Sequence, residues 1–191
     1  MLFRSVSQSR YSCSFCDQPQ KRGDKRKMSF DKIIRDVREL KVKNICITGG
    51  EPLLQADVYP LIYELLENDY KVSVETSGCV PLEPCSYNRS YKYVMDIKCP
   101  SSGVCEKNVL DNIFQLQPKD EIKFVIADRE DYEFAKNIIH NYSISSHILF
   151  SPVFDKDFKP VIGEELIKWM LEDGLYNVRM QIQMHKCLGV R

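Results

Sequence analysis

The sequence predicts an α/β fold, an incomplete (β/α) barrel of about six mostly parallel strands. Three observations carry this. Short β-branched runs alternate with segments of helical period along the chain. Most runs stop at Gly, Pro or Ser, which end a strand and turn the chain into a crossover. Chemically useful side chains recur at or just past strand ends, namely Glu51, Glu75, Lys98, Ser151 and His185. In parallel α/β folds the C-terminal strand ends form one rim, where sites are built.

The elements follow in order. Ser29 reads as an N-cap, with Ile33, Ile34, Val37 and Leu40 at helical spacing behind it. Asn44 to Thr48 is a strand ended by Gly49-Gly50. Val58, Leu61, Ile62, Leu65 and Leu66 mark the next helix. Lys71 to Glu75 is a strand stopped by Ser77-Gly78, and Tyr93 to Lys98 is another stopped by Pro100. A weaker helix is expected over Asn108 to Leu116. Ile122 to Ile126 is a strand, Asp131 to His140 a helix, and His147 to Phe150 a strand ended by Ser151-Pro152. Glu164 to Leu171 is a helix and Val178 to Gln183 the last strand. Strands apolar almost throughout predict cover on both faces.

A chain of 191 residues holds one domain with a sizeable core. With 43% hydrophobic and 28% charged residues it reads as a soluble globular protein. Lys plus Arg equals Asp plus Glu at 27 each, so net charge points to neither nucleic acid nor a membrane surface. The basic run Lys21 to Lys27 reads as a solvated loop. Without a long apolar run or a secretion signal, the eight cysteines are expected to be reduced thiols in a cytoplasm.

Two motifs carry chemistry. Cys13 and Cys16 form a Cys-x-x-Cys pair, open to three readings: a redox dithiol, half of a zinc site, or part of an iron–sulfur cluster. Zinc would need a second pair, Cys79 with Cys85 or Cys99 with Cys105. The other motif is Ile47 to Leu54, ITGGEPLL. Gly49-Gly50 lets a ligand approach the backbone, and Glu51 beside it offers a carboxylate suited to an ammonium group.

Together, Cys13-Ser-Phe-Cys16-Asp17 and Thr48-Gly-Gly-Glu-Pro52 resemble the radical S-adenosylmethionine superfamily. Glu75-Thr-Ser-Gly78, Asp96-Ile-Lys98, Ile122-Lys-Phe-Val125 and the ending Gln181-Ile-Gln-Met-His185-Lys-Cys-Leu-Gly189 narrow the resemblance to the 7-carboxy-7-deazaguanine synthase family, over roughly residues 12 to 191. That resemblance implies a radical SAM type barrel, usually a homodimer. Its reaction contracts 6-carboxy-5,6,7,8-tetrahydropterin to 7-carboxy-7-deazaguanine with loss of ammonia, for queuosine- and archaeosine-type 7-deazapurines. It implies a [4Fe–4S] cluster, S-adenosylmethionine, Mg²⁺, and a reducing protein such as flavodoxin or ferredoxin. Cys13 and Cys16 would be cluster ligands. Gly49, Gly50, Glu51, Lys98 and Ser151 would lie along the cofactor, and Thr48, Glu75 and His185 would face the pterin.

The sequence departs from the family at named places. Ser9 stands where Cys-x3-Cys spacing puts the first cluster cysteine, and Gln18 where a Mg²⁺-binding threonine often follows Cys-Asp. The opening Met1 to Ser12 run does not read as the family's N-terminal strand, so residues 1–191 are expected as a single domain lacking that strand. Truncation, another third ligand such as Cys79, or lost radical chemistry would each account for this, and truncation ranks first. Two other functions compete: a glycyl-radical activating enzyme, and a zinc-bound or cluster-free binding protein on the same scaffold.

Overall fold

The computed structural model describes residues 2–5, 13–16, 28–83, 90–155 and 157–188, with backbone alone at 2–5, 185 and 186. Seven strands form one sheet: β1 (Leu2–Ser5), β2 (Asn44–Gly49), β3 (Lys71–Thr76), β4 (Tyr91–Ile97), β5 (Glu121–Ile126), β6 (His147–Pro152) and β7 (Val178–Met180). Each strand pairs in parallel with the next in sequence. Among the described residues β1 and β7 do not pair, so the sheet is open. The six expected strands are all present. The seventh, β1, falls in the opening run that did not read as a strand; it pairs Leu2 with Cys46 and Ser5 with Gly49. Four residues are too short to show a period, and pairing with β2 fixes them instead.

The helices are α1 (Phe30–Glu39), α2 (Val58–Glu67), α3 (Arg129–Asn141), α4 (Gly163–Glu172) and the short α5 (Met184–Cys187). Ser29 caps α1 as expected, its hydroxyl accepting from Lys32 N. The expected helix at 108–116 is a 3₁₀ segment, Leu110–Gln115. Asn112 is diverted from helix forming to loop tying: it is buried, accepts from Leu82 N and donates to Val80 O.

Strand order 1 to 7 with right-handed crossovers puts every connecting helix on one side of the sheet. Burial shows this. Tyr91, Tyr93, Met95 and Ile97 of β4 are buried toward the helices, and so are Val72 and Val74, Ile122, Phe124 and Ile126, and Ile148 and Phe150. Tyr132 of α3 packs edge-on against Phe150, and Phe124 does so from the neighbouring strand. The alternate residues, Thr48, Glu75, Val94, Asp96, Lys123, Val125 and Ser151, share the other face. The expectation of cover on both faces holds at β6, where Leu149 and Ser151 of the second face are also buried, and not at β3, where Glu75 is exposed. One face is the helix-packed core, and the other mixes Val94, Val125 and Leu149 with Thr48, Glu75, Asp96 and Lys123.

Candidate active site

Glycine geometry shapes the rim. Gly49 ends β2 at φ 144°, and Gly78 follows β3 at φ 71°. A side chain at Gly78 would press on Met95 Cγ at 3.2 Å and Asp96 O at 3.3 Å. Only glycine brings β3 out this close to β4.

Glu51 differs from the sequence expectation. Its carboxylate does not stand open at the rim; the residue is 2% exposed and turned inward. Oε1 accepts from Leu53 N at 3.0 Å. Oε2 accepts from Ser77 N at 2.7 Å and from Ser77 Oγ, and Thr76 Oγ1 lies 3.0 Å from both oxygens. Buried carboxylates persist only when hydrogen-bonded in this way. Glu51 thus joins the end of β2 to the end of β3, and Gly50 beside it stays exposed.

Thr48 and Glu75 are brought together. They are cross-strand neighbours on the face opposite the core, and Thr48 Oγ1 donates to Glu75 Oε2 at 2.9 Å. Glu75 is exposed, and Thr48 and the Cys46 thiol both hydrogen-bond its carboxylate. Cys46 lies two residues earlier on the same face. Burial and then the Glu75 charge push its thiol up to about 11, so it is a neutral hydrogen-bonding group at ordinary pH.

Lys98 does not pair with Glu75. Its ammonium lies 3.1 Å from Asp96 Oδ2, and Lys123 of β5 reaches the same oxygen at 3.3 Å. Burial acts against the charge on Asp96, but the two lysines outweigh it and hold the carboxyl below its ordinary range. Burial likewise opposes the Lys98 charge, and the Asp96 carboxylate, with a smaller contribution from Cys13 and Cys79 once they ionise, more than offsets it, so Lys98 is held above its ordinary range. Ser151 is fully buried on β6 beside Val125, and among the described residues its hydroxyl has no partner; nor has Asp96 Oδ1.

Cys13 and Cys16 close a tight turn, with Cys16 N donating to Cys13 O at 3.1 Å. Cys13 is half-buried and Cys16 exposed. Burial pushes the Cys13 thiol up, while the Phe15 N–H and the Lys98 charge draw it back. The turn thus sits at the same rim as Lys98. His185 lies in α5, but its side chain is outside the described residues, as are Ser9, Asp17, Gln18, Cys85 and the Lys21 to Lys27 run.

A protein of Koribacter versatilis described as 7-carboxy-7-deazaguanine synthase is 37% identical over 198 residues, spanning 97% of this chain and 86% of that one. The chain belongs to the 7-carboxy-7-deazaguanine synthase family. A synthase of the same description from Methanospirillum hungatei JF-1 is 33% identical, over 99% of this chain and 77% of that one. The Radical SAM superfamily profile matches residues 9–95. Among solved structures, QueE from Escherichia coli shares the fold at a TM-score of 0.64 and 16% identity, covering 92% of this chain and 81% of that one. Streptococcus suis SuiB bound to S-adenosylmethionine gives 0.66 at 14% identity, covering 95% of this chain and 50% of that one.

Membership in a radical SAM family implies a [4Fe–4S] cluster and S-adenosylmethionine, and the donor set fits them in part. Cys13 and Cys16 give two thiols on one turn, within electrostatic reach of each other. No group of three metal-binding side chains occurs among the described residues. Of the second pair that zinc would need, Cys99 is buried in the hydrophobic core while Cys105 is half-buried. Sequence reasoning missed Thr76 and Ser77 as the partners of Glu51, and Lys123 as the second cation on Asp96. The alternation Lys92, Val94, Asp96, Lys98 was the available signal that Asp96 shares a face with Lys98.

Proposed function

We propose that this chain converts 6-carboxy-5,6,7,8-tetrahydropterin to 7-carboxy-7-deazaguanine with loss of ammonia, as a radical SAM lyase. The observation that carries this reading is the sheet face opposite the core, with its Thr48–Glu75 pair and a Ser151 hydroxyl that has no partner among the described residues, in a chain of this family. When bound, the cluster and S-adenosylmethionine supply the radical that starts the chemistry.

The protein's own residues bind and orient. Cys13 and Cys16 would hold the cluster. The backbone at Gly49 and exposed Gly50 would take the ammonium of the methionine end, and Glu51 would act on it indirectly by fixing the turn. Lys98 and Ser151 would serve the cofactor, which would give the Ser151 hydroxyl the partner it lacks among the described residues. Glu75, steadied by Thr48, accepts hydrogen bonds from the N–H edge of the pterin, with His185 on the same substrate. Holding a bicyclic at several points fixes which C–H it presents, which is catalysis by positioning. Mg²⁺, a flavodoxin- or ferredoxin-like reductant, a homodimer and a cytoplasmic setting belong to the same proposal. No helix among the described residues is long and apolar enough to cross a membrane.

The test is anaerobic reconstitution with iron and sulfide, EPR of the reduced protein with and without S-adenosylmethionine, and mass analysis after addition of the carboxytetrahydropterin. A cofactor-perturbed [4Fe–4S]⁺ signal with 7-carboxy-7-deazaguanine formed is expected. A perturbed cluster signal with no turnover of this pterin would overturn the substrate assignment.

A further inference from the structure

One buried carboxylate away from the ligand face has no part in the proposed chemistry. Asp131 lies in the first turn of α3 and is fully buried. The helix N-terminus is already capped, since Asp128 Oδ1 accepts from Asp131 N at 3.0 Å. Asp131 Oδ2 reaches back to Ala127 N at 2.8 Å, a variation on the capping box. Oδ1 does something else: it leaves the helix and accepts from Ser101 N at 2.9 Å. Ser101 Oγ in turn donates to Asp128 Oδ2 at 2.9 Å. The 3₁₀ turn Pro100–Ser102, which follows β4 and Lys98, is therefore clamped to α3 by two carboxylates.

The other side of that turn holds the cysteine loop. Ser14 N donates to Ser102 O at 3.0 Å, and Ser14 Oγ donates to Ser101 O at 2.5 Å. Ser14 sits between Cys13 and Cys16. Both carbonyls it uses belong to the clamped turn. A bare carboxylate is costly to bury, and a helix already capped does not require one. Its placement is accounted for by the bond to Ser101.

We infer that Asp131 is a positioning residue for the cluster loop: it fixes the Pro100–Ser102 turn, and that turn docks Ser14 and sets where Cys13 and Cys16 stand. The inference rests on the reading of these thiols as cluster ligands, but docking can be measured without a cluster.

The test uses the full chain with Asp131→Asn and, as a variant at an exposed position, Ser14→Ala. Asparagine offers one acceptor oxygen to two N–H donors, so one of the two bonds is lost. In apo protein, mass spectrometry would follow iodoacetamide labelling at Cys13 and Cys16. Wild type should label exposed Cys16 faster than half-buried Cys13, and in both variants that ratio should fall toward one. Bound iron after reconstitution should fall several-fold, with the melting temperature of Ser14→Ala unchanged. Losing a docking bond of ordinary strength corresponds to roughly a five- to ten-fold gain in loop opening. A wild-type labelling ratio and wild-type iron content in Ser14→Ala and in folded Asp131→Asn would overturn the inference. A lost ratio in variants of a wild type that binds no iron would support docking and count against the cluster reading alone.

Discussion

Glu51→Gln separates two roles for the family's glutamate. The substitution keeps shape and replaces one carboxylate oxygen by NH2. The native oxygens serve two backbone donors on opposite sides, Leu53 N on Oε1 and Ser77 N on Oε2. The Thr76 and Ser77 hydroxyls can rotate to accept from the new NH2; backbone N–H groups cannot. Either amide orientation therefore leaves one N–H without an acceptor. An unsatisfied buried donor costs about 1–3 kcal/mol, and hydrogen bonds to a charge contribute about 1.5–3 kcal/mol each. The expected loss is about 2–4 kcal/mol, a large part of a typical stability of about 5–15 kcal/mol. With a urea slope of about 2 kcal/mol/M, the midpoint of the apo protein should fall by about 1–2 M. The assay is urea unfolding followed by circular dichroism, beside calorimetric binding of S-adenosylmethionine. If Glu51→Gln unfolds at the wild-type midpoint and loses only cofactor affinity, the carboxylate is a direct ligand and the capping argument is wrong.

Glu75→Ala should weaken pterin binding by about ten-fold or more and spare S-adenosylmethionine, since it removes one charge-assisted acceptor worth about 1.5–3 kcal/mol; equal loss of both ligands in titration calorimetry would count against the assignment. Ser151→Ala should leave the apo melting temperature equal or higher, because it deletes a buried hydroxyl with no partner among the described residues, while cofactor affinity falls; a lower melting temperature would mean the hydroxyl is already satisfied. Asp96 has its pKa lowered in the fold, so its stabilising effect is present above the ordinary value of 3.8 and fades as pH falls through the lower folded value. The stability gap between wild type and Asp96→Asn should thus be full at about pH 6 and shrink in acid below about pH 4; a gap independent of pH would refute the ion-pair account. Ser9→Cys should raise iron bound per chain after reconstitution, and unchanged iron would exclude position 9 as the third ligand.

The fold was legible where pattern and topology agree. The runs at 44–48, 71–75, 93–97, 122–126 and 147–150 are strands because their β-branched and aromatic residues have a helix-packed side to fill, while the last expected strand, 178–183, forms only over Val178–Met180. What failed had no local signal. Asn112 looks like an ordinary helix residue until Leu82 and Val80 arrive from thirty residues away. Glu51 looks like a rim carboxylate until Thr76, which ends the next strand, and Ser77 just after it supply enough donors to bury it. Asp131 reads as a first-turn helix acid; only the fold brings Ser101 to it. A local feature such as the Ser29 cap of α1 was readable, whereas pairing across strands required the register.

The face opposite the core shows why this register matters for function. Asp96 and Lys123 stand side by side on β4 and β5, and Val125 and Ser151 do so on β5 and β6. One edge of this patch carries two lysines on a single carboxylate oxygen, leaving Asp96 Oδ1 unpartnered, and the other carries the unpartnered Ser151 hydroxyl. Folded proteins rarely leave buried polar atoms without partners, because each costs about 1–3 kcal/mol. Among the described residues two such atoms, Asp96 Oδ1 and the Ser151 hydroxyl, share the sheet face opposite the core, and the proposed function reads them as groups that a ligand would satisfy. A ligand that offers a donor to Asp96 and an acceptor or donor to Ser151 recovers that cost on binding. In the proposed function, the amino-acid end and ribose hydroxyls of S-adenosylmethionine would supply those groups.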